Sequence, residues 1–431
     1  MNAGVFSVLT PPGRGGIAVV RCLGPGAPEA IAAAFRAAGG ERDRRLTAAA
    51  RTARFSSRDR KVAGIIPGAP DLPEVGRLAY GHFSDAGGRP LDEIILYRAA
   101  ETVFEVNCHG GPAAVEAVCR RLADFGMEQV DPDRLLALEG AGPIARDAER
   151  MLREARTPLA GHILLDQRNG ALARAVEKIL KDLAAGRPAE AGKKLDALLE
   201  RWHSCGRLLA SPPRVAVAGP PNVGKSTLVN RLVGAERVIT SATPGTTRDY
   251  VEADAAIEGL PVVLVDTAGL RESGEPIERE GVARARRQVA GAAVVVYLLD
   301  VAEGVRPEDA AALEALGARA VAAWNKADLL ENGDGSRFHK NRIFEAPRPF
   351  TGETTPVPVF SALHGDGMDA LGRAILARLG WRPPAASGEA VPFTPVQAAA
   401  LQAARDALAT GDSATAKERL ESLAGGATSA G

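Results

Sequence analysis

Eight consecutive residues, Gly219-Pro220-Pro221-Asn222-Val223-Gly224-Lys225-Ser226, satisfy the spacing G-x-x-x-x-G-K-[ST]. The glycines let the backbone curl until successive N–H groups converge on one point, and a helix starting at Lys225 would add the positive end of its dipole there. A polyphosphate fits such a point. Lys225 is placed to reach the β- and γ-phosphates as a point charge that steadies the transferring group, and the Ser226 hydroxyl is placed to ligate the bridging Mg²⁺. Asn222, Val223, Gly224, Lys225, Ser226 and Thr227 are therefore expected to form the phosphate side of a nucleotide site.

Three further segments fall in the order such a site needs. Asp266-Thr267-Ala268-Gly269 follows the apolar run PVVLV, so Asp266 is expected to hold Mg²⁺, directly or through water, and the Gly269 N–H to face the γ-phosphate. Asn325-Lys326-Ala327-Asp328 follows a second apolar run. The Asp328 carboxylate can accept two parallel hydrogen bonds from guanine N1–H and N2–H₂, a donor pair that adenine lacks, so this segment selects GTP over ATP. Ser361 and Ala362, after PVPVF, would add a backbone contact to the base. The segment TPGTTRD, with Gly245, Thr246, Thr247, Arg248 and Asp249, reads as a switch loop ordered when a threonine binds Mg²⁺ beside the γ-phosphate. Spacing leaves the choice between Thr246 and Thr247 open. After DTAG comes Leu270, an apolar side chain where a water-orienting glutamine would serve hydrolysis, so either hydrolysis is intrinsically poor or another carboxylate and another cation supply what is missing.

These residues require a strand, a loop and a helix in repeated α/β order, and the sequence supplies them from residue 213 to about 385. The first 120 residues instead read as α+β, with short strands around the Gly-rich turns PPGRGG and SDAGGRP. Residues 121–212 and 386–431 carry helical spacing, and Ser211-Pro212-Pro213 makes a stiff joint before the phosphate-loop strand. The expected architecture is a multidomain α+β and α/β chain, its nucleotide module inserted between two parts of one helical domain.

Composition bounds the remainder. The 431 residues carry 53 Lys plus Arg against 53 Asp plus Glu, so no global basic field marks nucleic-acid binding and any RNA contact must be local. Four cysteines without C-x-x-C spacing indicate neither zinc nor a disulfide framework. The start lacks the pattern of a secretory signal, and the apolar run 292–302 is too short to cross a bilayer, so a cytoplasmic protein without membrane association is expected.

Together, GPPNVGKS, GTTRD, DTAGLR, NKAD and SA resemble the TrmE-Era-like GTPases. LTPPGRGGIAVVR, LDEIILYRA and NCHGGPAAVEAV resemble the N-terminal domain of the MnmE family of tRNA uridine-modification GTPases, and the resemblance covers most of the chain. It implies a potassium-stimulated homodimer that works with an FAD-dependent MnmG-like partner on the wobble uridine of tRNA, using a one-carbon unit from 5-formyltetrahydrofolate or a related folate. It further implies that Asn222 binds K⁺ with the loop 241–245, a site assigned to Asn222, Ser241, Thr243 and Thr246, while Ser226 and Thr247 are assigned to Mg²⁺. The segment IEREG implies Glu278 as the catalytic, water-orienting carboxylate that answers Leu270. In the first domain the resemblance points to Arg14, Arg21, Cys108 and His109 as lining or supporting a folate pocket.

Two departures from the family pattern support a second expectation. The family's Tyr-Thr-Gly-Glu-Asp segment is replaced by AAETVFEVN, and this chain ends in SLAGGATSAG with its last cysteine at Cys205 rather than in a Cys-containing tail. The alternative is a diverged paralogue that keeps the GTPase as a regulatory or RNA-assembly switch without the one-carbon chemistry.

Overall fold

The computed structural model describes residues 4–10, 15–38, 72–235, 252–266, 291–331 and 357–425. The chain divides into two compact units, residues 1–142 and 143–431.

The first unit is built on a seven-stranded sheet in the order β3-β4-β5-β6-β2-β1-β7, formed by β1 Val5–Val8, β2 Ile17–Leu23, β3 Phe35–Ala37, β4 Arg77–Ser84, β5 Pro90–Ala100, β6 Val103–His109 and β7 Glu128–Gln129. All neighbours are antiparallel except β1 and β7. Alternation decides the faces: Ala18, Val20 and Cys22 of β2 stand opposite Cys108, Val106 and Phe104 of β6, and all six are buried. The helix Pro112–Asp124 turns Val118, Cys119 and Leu122 into that core, an i, i+1, i+4 stripe, and the helix Ala27–Ala34 adds Ile31. The helix Ala27–Ala34 passes directly into β3 at Phe35. Phe35 is fully buried against the sheet core, so tertiary packing overrides the helical run.

The second unit contains a helical region and an α/β module. Residues Pro143–Leu152, Pro158–Arg168, Ala171–Ala184, Pro188–Arg201, Pro395–Ala409 and Ser413–Ala424 form helices around a shared core of Leu164, Leu172, Val176, Ile179, Leu195, Phe393, Leu401 and Leu420. Thr157 and Thr394 cap their helices by accepting from the N–H groups of Ala160 and Gln397, with proline at the first helical turn in both. The module leaves this bundle and returns to it at one place. Buried Gln167 donates to the carbonyls of Ile163 and Glu389 at 3.0 Å each and accepts from Val391 N–H at 3.1 Å. Gly206, in a π-helical turn at Trp202–Gly206, lies so close to the returning chain that a Cβ there would stand 1.7 Å from the Pro392 carbonyl oxygen. Only glycine permits that crossing. The α/β module is thus an insertion in a helical region whose two parts pack together.

The module's sheet has the order β12-β11-β8-β10-β9, from β8 Arg214–Ala218, β9 Glu252–Ile257, β10 Leu260–Asp266, β11 Val294–Asp300 and β12 Ala320–Asn325, all parallel but β9. β11, VVVYLLD, is buried at every position, as a central parallel strand covered on both faces must be. Among the described residues no helix is long and apolar enough to cross a membrane.

Candidate functional site: a guanine-nucleotide cradle

Parallel strands deliver their carboxyl ends to one edge, the usual place for ligand-binding residues in an open α/β sheet. Here that edge carries the Gly219–Gly224 loop after β8, Asp266 at the end of β10, Asn325 at the end of β12, and Ser361 after a short extended stretch. That stretch extends the sheet: the Phe360 N–H donates to the Trp324 carbonyl and the Trp324 N–H to the Pro358 carbonyl, both at 2.8 Å. Asp266 pairs with Val217 across the sheet, which sets its backbone beside the start of the loop.

The loop is held in a shape that depends on its glycines. Gly219 has φ +138° and Gly224 φ +99°. A Cβ would lie 2.6 Å from the Leu298 carbonyl oxygen at Gly219 and 2.4 Å from Asn325 Nδ2 at Gly224. Asn222 takes φ +60° at the exposed turn, a left-handed conformation that asparagine tolerates better than most residues. Val223 is buried and anchors the loop to the module core. Lys225, half-buried, sends Nζ back to the carbonyls of Gly219 at 3.1 Å and Pro220 at 2.7 Å. Its ammonium is thereby held over the concave side of the loop. Ser226 and Thr227 are exposed in the first turn of the helix Lys225–Ala235, where the positive end of the helix dipole favours an anion.

Asn325 joins the Gly219–Gly224 loop to the Ser361–Ala362 loop. Its side chain is almost fully buried; Nδ2 donates to the Val223 carbonyl at 2.8 Å, and Oδ1 accepts from the Ala362 N–H at 2.9 Å. Asp328 accepts from the Ser361 hydroxyl at 2.6 Å, and the Ser361 oxygen accepts in turn from the His364 N–H at 3.1 Å. That hydroxyl is the largest cause holding the Asp328 carboxyl below its usual range, with a backbone N–H and the charges of His364 and Lys326 adding to it. Asp328 is therefore ionised and oriented at neutral pH, the state that two guanine N–H donors require. Lys326 has φ +68° and pairs with Asp300.

Arg231 has no place in the motifs, yet it donates to the carbonyls of Ala362 and Leu363 and ties the base-side loop to the phosphate-loop helix. Its signal in the sequence is only one more arginine on a helix, because the contact spans 131 residues. Gly269, Glu278, Ser241, Thr243, Gly245, Thr246, Thr247, Arg248, Asp249 and Arg14 lie outside the described residues.

In the first unit the residues assigned to a folate pocket are distributed differently. Cys108 and His109 follow one another on β6, so they face opposite sides of the sheet. Cys108 lies in the core, where burial pushes its thiol up to about 11. His109 is exposed; its Nδ1 lies 2.6 Å from Asp92 Oδ1, and its backbone N–H donates to Asp92 Oδ2 at 2.7 Å. The hydrogen bond to Asp92, then its charge, raises the His109 pKa. Arg21 shares that open face. Ile17 stands opposite His109 and Arg21 opposite Glu105, so Arg21 and His109 are separated by four residues along the ladder, about 13 Å. Arg21 pairs with Glu105 at 2.9 Å and with Glu139 at 2.7 Å.

A glycine-bound phosphate loop before a helix, with an Asn-Lys-x-Asp segment and a serine loop at the same sheet edge, defines a P-loop GTPase. The profile of the family described as 50S ribosome-binding GTPase matches residues 214–326, the stretch that builds this edge. The tRNA modification GTPase MnmE of Moorella thermoacetica is 32% identical over 94% of this chain and 88% of its own length, and the protein of the same name from Chloroflexus aurantiacus is 30% identical over 95% and 89%. The chain belongs to the MnmE family. A crystal structure of an Aquifex aeolicus Era variant bound to GDP and AlF₄⁻ is 28% identical and covers 45% of this chain and 66% of that one, with a TM-score of 0.28.

Proposed function

We propose that this GTPase hydrolyses GTP in the service of tRNA modification, acting as a homodimer with an FAD-dependent MnmG-like partner on the wobble uridine. The observation that carries the nucleotide half is the bridge from Val223 through Asn325 to Ala362, joined by the Asp328–Ser361 pair: the phosphate loop and the guanine-reading carboxylate are parts of one hydrogen-bonded unit. The similarity to MnmE proteins along nearly the whole chain supports the modification half.

The donor set suits the metals the family uses. Ser226 offers an exposed hydroxyl in the first helical turn, and Asp266 ends the strand beside the loop, so a hard Mg²⁺ shared with phosphate oxygens has oxygen ligands from this chain, with Thr247 as the further assigned ligand. Asn222, exposed at the loop's turn, is assigned to K⁺ with Ser241, Thr243 and Thr246. A monovalent cation there would supply positive charge to the transferring phosphoryl group. Glu278 is assigned to orienting the attacking water. In the first unit Arg21 and His109 on the open face are assigned to the folate side together with Arg14, with Cys108 supporting the strand from the core. Residues 1–120, 121–212, 213–385 and 386–431 are the proposed domain limits.

The test is complementation of cells lacking MnmE, scored by mass spectrometry of wobble uridine, beside GTP hydrolysis by the purified protein in K⁺ and in Na⁺. Restored modification and slower turnover in Na⁺ are expected. GTP hydrolysis with no restored modification would support the diverged switch instead, and equal rates in the two cations would remove the potassium assignment.

A further inference from the structure

Asp300 ends β11 and stands directly opposite Asn325 in the ladder. Its side chain is only 5% exposed, and its two oxygens are committed differently: Oδ1 accepts from the Ala302 N–H at 2.9 Å, and Oδ2 pairs with Lys326 Nζ at 2.7 Å. Lys326 comes between the residue that ties down the phosphate loop, Asn325, and the residue that reads the base, Asp328. Its left-handed φ of +68° is a conformation a lysine adopts only when its surroundings impose it. The imposing contacts are visible: the Ala327 N–H donates to the Phe360 carbonyl at 3.1 Å, and the Leu329 N–H to the Lys326 carbonyl at 3.0 Å.

We propose that Asp300 is a positioning residue for guanine selection: it holds the Lys326 ammonium away from Asp328 and fixes the lysine stem as a wall of the base site.

Two carboxylates compete for one cation two residues from the base reader. The Lys326 charge already acts on Asp328. If the ammonium paired with Asp328, that carboxylate would offer fewer lone pairs to N1–H and N2–H₂, and the distinction of guanine from a base lacking the exocyclic amine would weaken. A buried carboxylate at Asp300 wins the competition because it lies in a lower dielectric than Asp328 and needs a counter-charge there. The held lysine then presents four methylenes and a fixed positive charge to the face of a purine, an arrangement in which aromatic rings are attracted.

This inference rests on the reading of Asp328 as the base-selecting carboxylate, and the experiment separates the two. Fluorescent GDP is displaced by unlabelled GDP and by IDP, which lacks the exocyclic amine, on the wild type and on Asp300→Asn, Lys326→Met, the double variant and Asp328→Asn. Asparagine keeps the cap on the Ala302 N–H, and Lys326→Met leaves Asp300 intact should the first variant fold poorly. The expectation is that Asp300→Asn lowers the preference for GDP over IDP on the order of tenfold and raises KM for GTP without changing kcat. Lys326→Met should weaken GDP and IDP together, and the double variant should regain the GDP preference that Asp300→Asn loses, because the freed ammonium is gone. A GDP-to-IDP ratio in Asp300→Asn within twofold of wild type, even with a lowered Tm, overturns the proposal and leaves the Asp328 reading standing. Retention of the full guanine preference by Asp328→Asn would instead overturn that reading and this proposal with it.

Discussion

The two sheets of this protein treat their polar residues in opposite ways. In the α/β module, parallel strands discharge Val223, Asn325, Asp328 and Ser361 at one edge, and three hydrogen bonds of 2.6–2.9 Å knit them into a single cradle. In the first unit, antiparallel alternation separates neighbours: Cys108 enters the core and His109 the open face, while Arg21 is engaged by two carboxylates. A parallel sheet collects chemistry from distant parts of a sequence, whereas an antiparallel one spreads a short motif over two faces. The first arrangement makes function sensitive to single side chains; the second makes single side chains matter mainly to stability.

The sharpest test of that contrast is Asp328→Asn. An amide cannot accept from both guanine donors, so preference should shift from guanine toward xanthine nucleotides by roughly 10⁴-fold, measured by competitive displacement. Lys225→Ala comes next. It removes charge-assisted contacts to phosphate and should weaken GTP binding by on the order of 10²-fold at unchanged base preference, read by calorimetry. On the other side of the comparison, Arg21→Ala strips a half-buried guanidinium from Glu105 and Glu139. It should lower unfolding free energy by about 2 kcal/mol, in denaturant titrations of the first unit's transition, with nucleotide affinity unmoved. A change in GTP affinity there would break the contrast.

The smallest effect concerns pH. Because Asp92 raises the His109 pKa above its ordinary 6.5, the stabilisation it provides is fully present below that value and is lost as pH rises through the raised folded value. NMR titration of the His109 ring should show the raised midpoint and its return toward the ordinary value in Asp92→Asn.

The positions of the glycine loop between strand and helix, of the strand end at Asp266, of the Asn325–Asp328 segment and of the Ser361 loop were legible in the sequence because each couples a local motif to a local strand or helix signal. The insertion of the α/β module was legible from the change in periodicity at Pro212-Pro213 and again at about residue 385. Arg231, Asp300, Gln167 and Gly206 were not. Each acts through a contact whose partner is distant in sequence or set by the sheet register, and one side chain's type carries no record of that partner.

All four thiols of the chain, Cys22, Cys108, Cys119 and Cys205, are buried and free, and burial raises every one of them, Cys205 up to about 12. At neutral pH almost none is thiolate, so the buried native thiols offer little to a thiol-selective dye. A lone cysteine grafted at Leu363, 63% exposed on the segment that Arg231 tethers, would then take a fluorophore selectively and give an optical reporter of nucleotide arrival without any native residue having to be silenced first.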